Sequence, residues 1–436
     1  MKMAGETDRK DLQRIIEERD YFAFILDAIQ GSDDAEDILQ ENVLRVMINA
    51  KSRIIDCALN DKPFIAAYFC NAPELFSAMN IPWYMLMETA FLNSSAPHIL
   101  GEIDKSVEMG LGMDLCTAIR LSIYYCEAGL NPPPTCIVNL LFPCDGAPMM
   151  SQVFKKHKAW AHIPQFGGDP PYHSDERSVQ YFSGELRRMS SFIEEHTGHT
   201  LDIDRLREVC DESNKAYSLW AEYNELRRAL PCPHGWSVGG SQFFAITQCF
   251  QAGDPMGTAW CQKLYDITEK KVKAKQGVEG VEEKIRLFWF DIMPVSWCFG
   301  LFPWLEQEFG AVVVMNMFGN FPYKLIDTST EETMFHDLAE RNLCHEPMIR
   351  QARGTAENFV NDVRRIVRDY KIDVVIWPGH MGHKDGSATT YLMSEVCREL
   401  GVHFLHIGLD LFDERYTTVD EVKDKMAEFF YAMGLA

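Results

Sequence analysis

Two stretches decide the fold: IVNLLFPCDGAPMM at 137–150 and VVIWPGHMGHKDGS at 374–387. Each is a short Val/Ile/Leu-rich run that empties into a loop of Pro, Gly and reactive polar residues. An apolar run bounded by turn residues reads as a strand of a parallel sheet covered on both faces. Open α/β sheets bind their ligands where such strands end. Cys144, His380 and His383 occupy those ends, which makes them chemical candidates.

Working outward, further strands are expected in PFIAAYFC (63–70), IPWYMLM (81–87) and WAHIPQF (160–166), with helices between them. KIRLFWFDI (284–292), AVVVMNMF (311–318) and HFLHIGLD (403–410) continue the pattern in the second half. The expected fold is α/β: two lobes with mostly parallel sheets flanked by helices, a helical N-terminal segment and a helical insert between the lobes. The chain divides into the helical segment 1–60, a first lobe 61–173, a helical arm 174–282 and a second lobe 283–436. The arm is read from long helical periodicity in DERSVQYFSGELRRMSSFIEE and DRLREVCDESNKAYSLWAEYNELRRAL. The loop PCPHGWSVGG (231–240) interrupts it with a turn. A shared fold by duplication is open to the two lobes, although no residue-level repeat proves it.

At 436 residues with 47% hydrophobic content, the chain can bury more than one core. A formal charge of -22 repels phosphate backbones and anionic lipid, so neither nucleic acid nor a membrane is an expected partner. The first twenty residues carry no apolar core for a signal peptide, and a cytoplasmic protein is expected. The thirteen cysteines are odd in number and irregularly spaced, with no C-x-x-C pair, which argues against a disulfide framework or a zinc ribbon. Most are expected to be reduced, buried thiols. Cys116, Cys144, Cys232 and Cys344 lie near element ends and stand apart from the rest.

Cys144 precedes a helix-like run, so its sulfur is expected near a helix N-terminus, where the dipole favours thiolate. Cys116 precedes TAIRLSIYYCEAGL in the same way. Glu88, in MLMETAF, is a carboxyl beside apolar neighbours, suited to a raised pKa and proton donation unless it merely caps a helix at the surface. His380 and His383 can ligate a metal, exchange protons or hydrogen-bond their turn. Lys155, Lys156, His157 and Lys158 form a basic run best read as a solvated helix face. Neither a P-loop nor a dinucleotide fingerprint is present, so any ATP acts through a partner.

FCNAPELFSAMNIPWYMLMETAFL, DLCTAIRLSIYYCEAGL, LLFPCDGAPMM, WPGHMGHKDGSATTYL and the ending GVHFLHIGLDLFDERY resemble the 2-hydroxyacyl-CoA dehydratase and benzoyl-CoA reductase superfamily. Within it, the B-type subunit of ATP-dependent benzoyl-CoA reductase is the nearest likeness. The resemblance implies an oxygen-sensitive oxidoreductase subunit of anaerobic aromatic degradation. Its implied partners are a related catalytic subunit in a hetero-oligomer and an ATP-hydrolysing activating component, with reduced ferredoxin as electron donor. Its implied substrate is benzoyl-CoA or a similar acyl-CoA, and its implied cofactor is a 4Fe-4S cluster. Cys116 and Cys144 match cluster cysteines, and Glu88 matches an acidic position near the thioester in the dehydratases. A third cluster cysteine is expected where this chain has His383. Imidazole in place of thiolate makes a cluster less negative and raises its potential, which opposes reduction of an aromatic ring. Three arrangements follow: His383 ligates, Cys344 replaces it, or the partner holds most of the cluster. The reading adopted is the third, with His380 and His383 donating protons. The alternatives in function are a 2-hydroxyacyl-CoA dehydratase subunit and a non-catalytic scaffold subunit.

Overall fold

The computed structural model describes residues 9–435 apart from 33, 69–71, 95, 142–145, 157–159, 169–170, 172–174, 251, 294–297, 321–323, 348 and 353–355. Its frame is a pair of four-stranded, wholly parallel sheets. The first contains β1 (Ile65–Ala67), β2 (Trp83–Met85), β3 (Cys136–Leu140) and β4 (Gln165–Gly168), in the order β2-β1-β3-β4. The second contains β5 (Ile285–Trp289), β6 (Ala311–Asn316), β7 (Val374–His380) and β8 (His403–Leu409), in the order β6-β5-β7-β8. All eight expected strands are present, trimmed to their apolar centres, with β4 displaced toward Gly168.

The inner strands are buried throughout, as a sheet covered on both faces requires, whereas the edge strands β4 and β8 include partly exposed positions. Pro378 is tolerated inside β7 because the pairing with β5 ends at Ile376, so its missing N–H costs no ladder bond on that side. Both lobes place their strands in the same relative order, a likeness of topology that the residues did not disclose.

Helices fill the interval between β4 and β5. Glu176–Thr197 is capped by Asp175, whose carboxylate accepts from the Ser178 N–H at 2.9 Å. Gly198 ends it in the left-handed conformation at φ 73°. Ile203–Leu226 is capped by Asp202 and packs along Pro255–Lys273. At the N-terminal side, α1 (Gln13–Ile29) and α2 (Ala35–Leu59) pack on each other. α2 also lies against β2 and against a π-helical turn, Ala245–Phe250.

The lobes are joined through buried polar contacts. At the N-terminus of the helix Thr117–Glu127, the Thr117 hydroxyl donates to Asp410, just beyond β8, at 2.8 Å. Deeper in the molecule, Arg341 of the second half pairs with Glu74 of the first, and Ser213 of the helical arm donates to the same carboxylate at 2.7 Å. Among the described residues no helix is long and apolar enough to cross a membrane.

Candidate active site

In a sheet ordered 2-1-3-4 the chain reverses direction between strands 1 and 3, and loops leaving these strands diverge to open a crevice. Here that crevice follows β1 and β3 in one lobe and β5 and β7 in the other. Among the described residues, ones that follow β1, β2, β5, β6 and β7 line a shared chamber. Its larger part, about 270 Å³, is lined by Met47, Met85, Glu88, Phe91, Phe244 and Met293, with Leu92, Ala245, Cys249, Ile292 and Phe318 completing the apolar wall and Ser241 exposed at the rim. A smaller part continues past Met85, Phe91, Phe244, Ile292 and Phe318 to Cys116 and His383. One end therefore presents a carboxyl, the other a thiol and an imidazole.

Cys116 is buried and takes the N-cap position of Thr117–Glu127, as its sequence context predicts. The loop after β7 presses against it: a Cβ on Gly382 would fall 2.5 Å from Cys116 Cα and 2.9 Å from His380 Nε2. A side chain there has no room, so glycine permits the approach of the two lobes. Cys144 lies outside the described residues, and its expected approach to Cys116 is not part of the described geometry.

His383 Nδ1 lies 2.9 Å from Asp291 Oδ1, which ties the end of β7 to the end of β5. That contact fixes the ring plane and the tautomer. His380 is completely buried beside it, with ring centroids 4.7 Å apart at 84°. Burial, followed by the neighbouring His383, pushes His380 down to about 3, so it stays neutral at physiological pH. Neither of its ring nitrogens has a hydrogen-bond partner among the described residues.

Glu88 begins the short helix Glu88–Leu92 instead of ending a strand, and it is buried rather than capping a surface helix. Burial raises its pKa above the ordinary carboxyl value, Lys51 opposes this, and Glu18 adds to it. Lys51 and Glu18 went unnoticed in the sequence, although Lys51 follows Met47 by one helical turn on an otherwise apolar face. Asp291 was also missed; its signal was its place at the end of KIRLFWFDI. Cys249 is buried in the core, as expected of most of the thiols, and from the π-helical turn it also lines the chamber wall.

Cys344 belongs to another π-helical turn, Arg341–His345, and does not line the chamber. Among the described residues, the group whose donor atoms converge closely enough for a metal is His336, Asp337 and Glu340. Lys324 already pairs with both of those carboxylates. At the chamber the described donors are the Cys116 and Cys249 thiols, the Glu88 carboxyl and the His383 imidazole, the last engaged by Asp291. This donor set fits a soft metal group anchored at the Cys116 corner, provided that other thiolates complete it.

A family model described as 2-hydroxyglutaryl-CoA dehydratase, D-component, matches residues 71–431. The chain belongs to this family. No curated protein gives a significant match. The match covers the second lobe, the arm and the first lobe from beyond β1, and it includes Glu88, Cys116, His380 and His383 while leaving out α1, α2 and β1. In this family member, then, most of the chamber lining lies within the matched region, while Met47 and Tyr68 come from outside it.

Proposed function

We propose that the chain is a catalytic subunit of an ATP-dependent benzoyl-CoA reductase, converting the aromatic ring of benzoyl-CoA to a cyclic diene-carbonyl-CoA. The observation that carries this reading is the apolar chamber of about 270 Å³ with a protonatable carboxyl at one wall. Dry apolar cavities of about 150 Å³ already take up benzene, so this one suits a ring together with its thioester carbonyl. The acyl group named in the family's description carries a second carboxylate, which needs a cation. Lys51, the lysine beside the chamber wall, is already held by two carboxylates. A polar acyl tail is therefore penalised here and a ring is not.

Each part of the site has a task in this scheme. The apolar wall binds the ring and keeps water away from reactive intermediates. Glu88, protonated more readily than an ordinary carboxyl, donates a proton to the reduced ring. His383, oriented by Asp291, is the second donor, and His380, completely buried and behind the chamber wall, packs against His383 and positions it. A 4Fe-4S cluster, implied by the resemblance and held by Cys116 and Cys144, supplies single electrons when bound. The chain has no nucleotide loop of its own, so ATP hydrolysis and electron delivery from reduced ferredoxin fall to an activating partner, and a related subunit completes the hetero-oligomer.

The family match favours a second reading, in which the subunit dehydrates a 2-hydroxyacyl-CoA with an apolar or aryl side chain. The Ser241 hydroxyl at the rim is placed to meet a substrate hydroxyl. An anaerobic assay of the co-produced subunits with activator, ATP and reduced ferredoxin separates the two. The expected result is diene formation from benzoyl-CoA, falling on the order of 10²-fold or more in Glu88→Gln and abolished in Cys116→Ala, with circular dichroism unchanged. Water loss from phenyllactyl-CoA without ring reduction supports the second reading. Iron and labile sulfide absent from a folded, anaerobically purified complex contradict both and leave a scaffold.

A further inference from the structure

Glu88 does not face the chamber alone. Lys51 Nζ, from α2, donates to Glu18 Oε2 of α1 at 2.6 Å and also to Glu88 Oε1. Asn93 Nδ2 donates to the other Glu18 oxygen at 2.7 Å. All three charged side chains are buried. Both α1 and α2 precede residue 71, where the family match begins.

Two carboxylates around one ammonium leave an excess negative charge in a water-poor space, and the least costly relief is one proton shared into the group. Glu88 is the member that lines the chamber. On its far side lies a second, much smaller cavity of about 10 Å³, bounded by Ile15, Ala50, Lys51, Ile54, Trp83 and Tyr84 with Thr89. That is room for about one water. The Glu88 carboxyl thus stands between the apolar chamber and a polar pocket that Lys51 opens. Tyr84 of β2 and Cys249 of the π-helical turn also face this carboxyl, and burial keeps both uncharged.

We propose that Glu18 and Lys51 are positioning residues of the active site, delivered by a helical pair outside the family match, which hold the Glu88 carboxyl at the chamber wall and set the pH at which it carries its proton. The proposal rests on the reading of Glu88 as proton donor. On donation the O–H bond breaks, its electron pair stays on Glu88, and the proton passes to the acyl group, whose added electrons come from a reduced iron–sulfur protein. The new carboxylate lies against the Lys51 ammonium, which stabilises it. The water-sized cavity beside Lys51 is where the proton is regained. Glu18 opposes this stabilisation and keeps Glu88 from remaining ionised.

The test is an infrared titration of the Glu88 carboxyl C=O band in the substrate-free full-length chain within its complex, the band being assigned by its loss in Glu88→Gln. Lys51→Met removes the stabilising cation, and the midpoint is expected to rise by about one unit or more, a tenfold change in proton affinity. Glu18→Gln removes the opposing charge and is expected to lower it, while Lys51→Arg stays near wild type. The alkaline limb of turnover, where the donor loses its proton, is expected to move with these midpoints. Midpoints unchanged in Glu18→Gln and in whichever Lys51 variants fold overturn the proposal. Because the titration needs no substrate, shifted midpoints combined with full turnover by Glu88→Gln overturn the donor reading instead.

Discussion

At the residue scale, the molecule concentrates ionisable groups where water is scarce. Glu346 is fully buried, accepting from the Tyr217 hydroxyl at 2.8 Å and from Gln248 at 3.0 Å. Burial first, and then the charge of Glu74, push it up to about 8, with Arg341 pulling the other way. The folded protein therefore keeps a proton that the unfolded chain releases near its ordinary value. Stability from this group is full below that value and is lost as pH rises through about 8. The melting temperature is expected to fall between about pH 5 and about pH 9, and Glu346→Gln is expected to flatten that fall. A slope equal in the two proteins contradicts the assignment. Individual residues were legible in the sequence where chemistry and local context coincide. Cys116 at its helix start and Glu88 in an apolar setting are such cases. Lys51 was not legible, because what defines it is a partner 37 positions away, and no local pattern encodes that distance.

At the scale of elements, apolar runs bounded by Pro and Gly located the buried strands closely, while the half-exposed edge strand β4 lies shifted toward Gly168 from its expected run. The π-helical turns at Ala245–Phe250 and Arg341–His345 were not visible, because an inserted residue in a helix alters no periodicity that a short window can resolve. The first of these turns places Ala245 and Cys249 on the chamber wall. The loop after β7 is the element most tightly constrained by space. Gly382→Ala puts a methyl group 2.5 Å from Cys116 Cα, against backbone that cannot yield without moving a helix start. A loss of about 1–3 kcal/mol in unfolding free energy is expected, together with reduced turnover. Unchanged stability and activity indicate that the lobes do not meet here as described.

At the scale of the whole molecule, two lobes of the same strand order enclose an apolar chamber between a carboxyl and a thiol. The shared strand order was beyond the reach of sequence reading, because equivalent topologies need only equivalent burial, not equivalent residues. The central claim is that this chamber holds the acyl group of a CoA thioester. Calorimetric titration of the anaerobically purified complex with benzoyl-CoA and with free CoA, in wild type and in Ala245→Trp, tests it most directly. Ring burial is expected to make benzoyl-CoA bind about tenfold or more tightly than CoA. In Ala245→Trp that margin is expected to vanish while CoA affinity is kept. A filled chamber that still binds benzoyl-CoA at full strength contradicts the account.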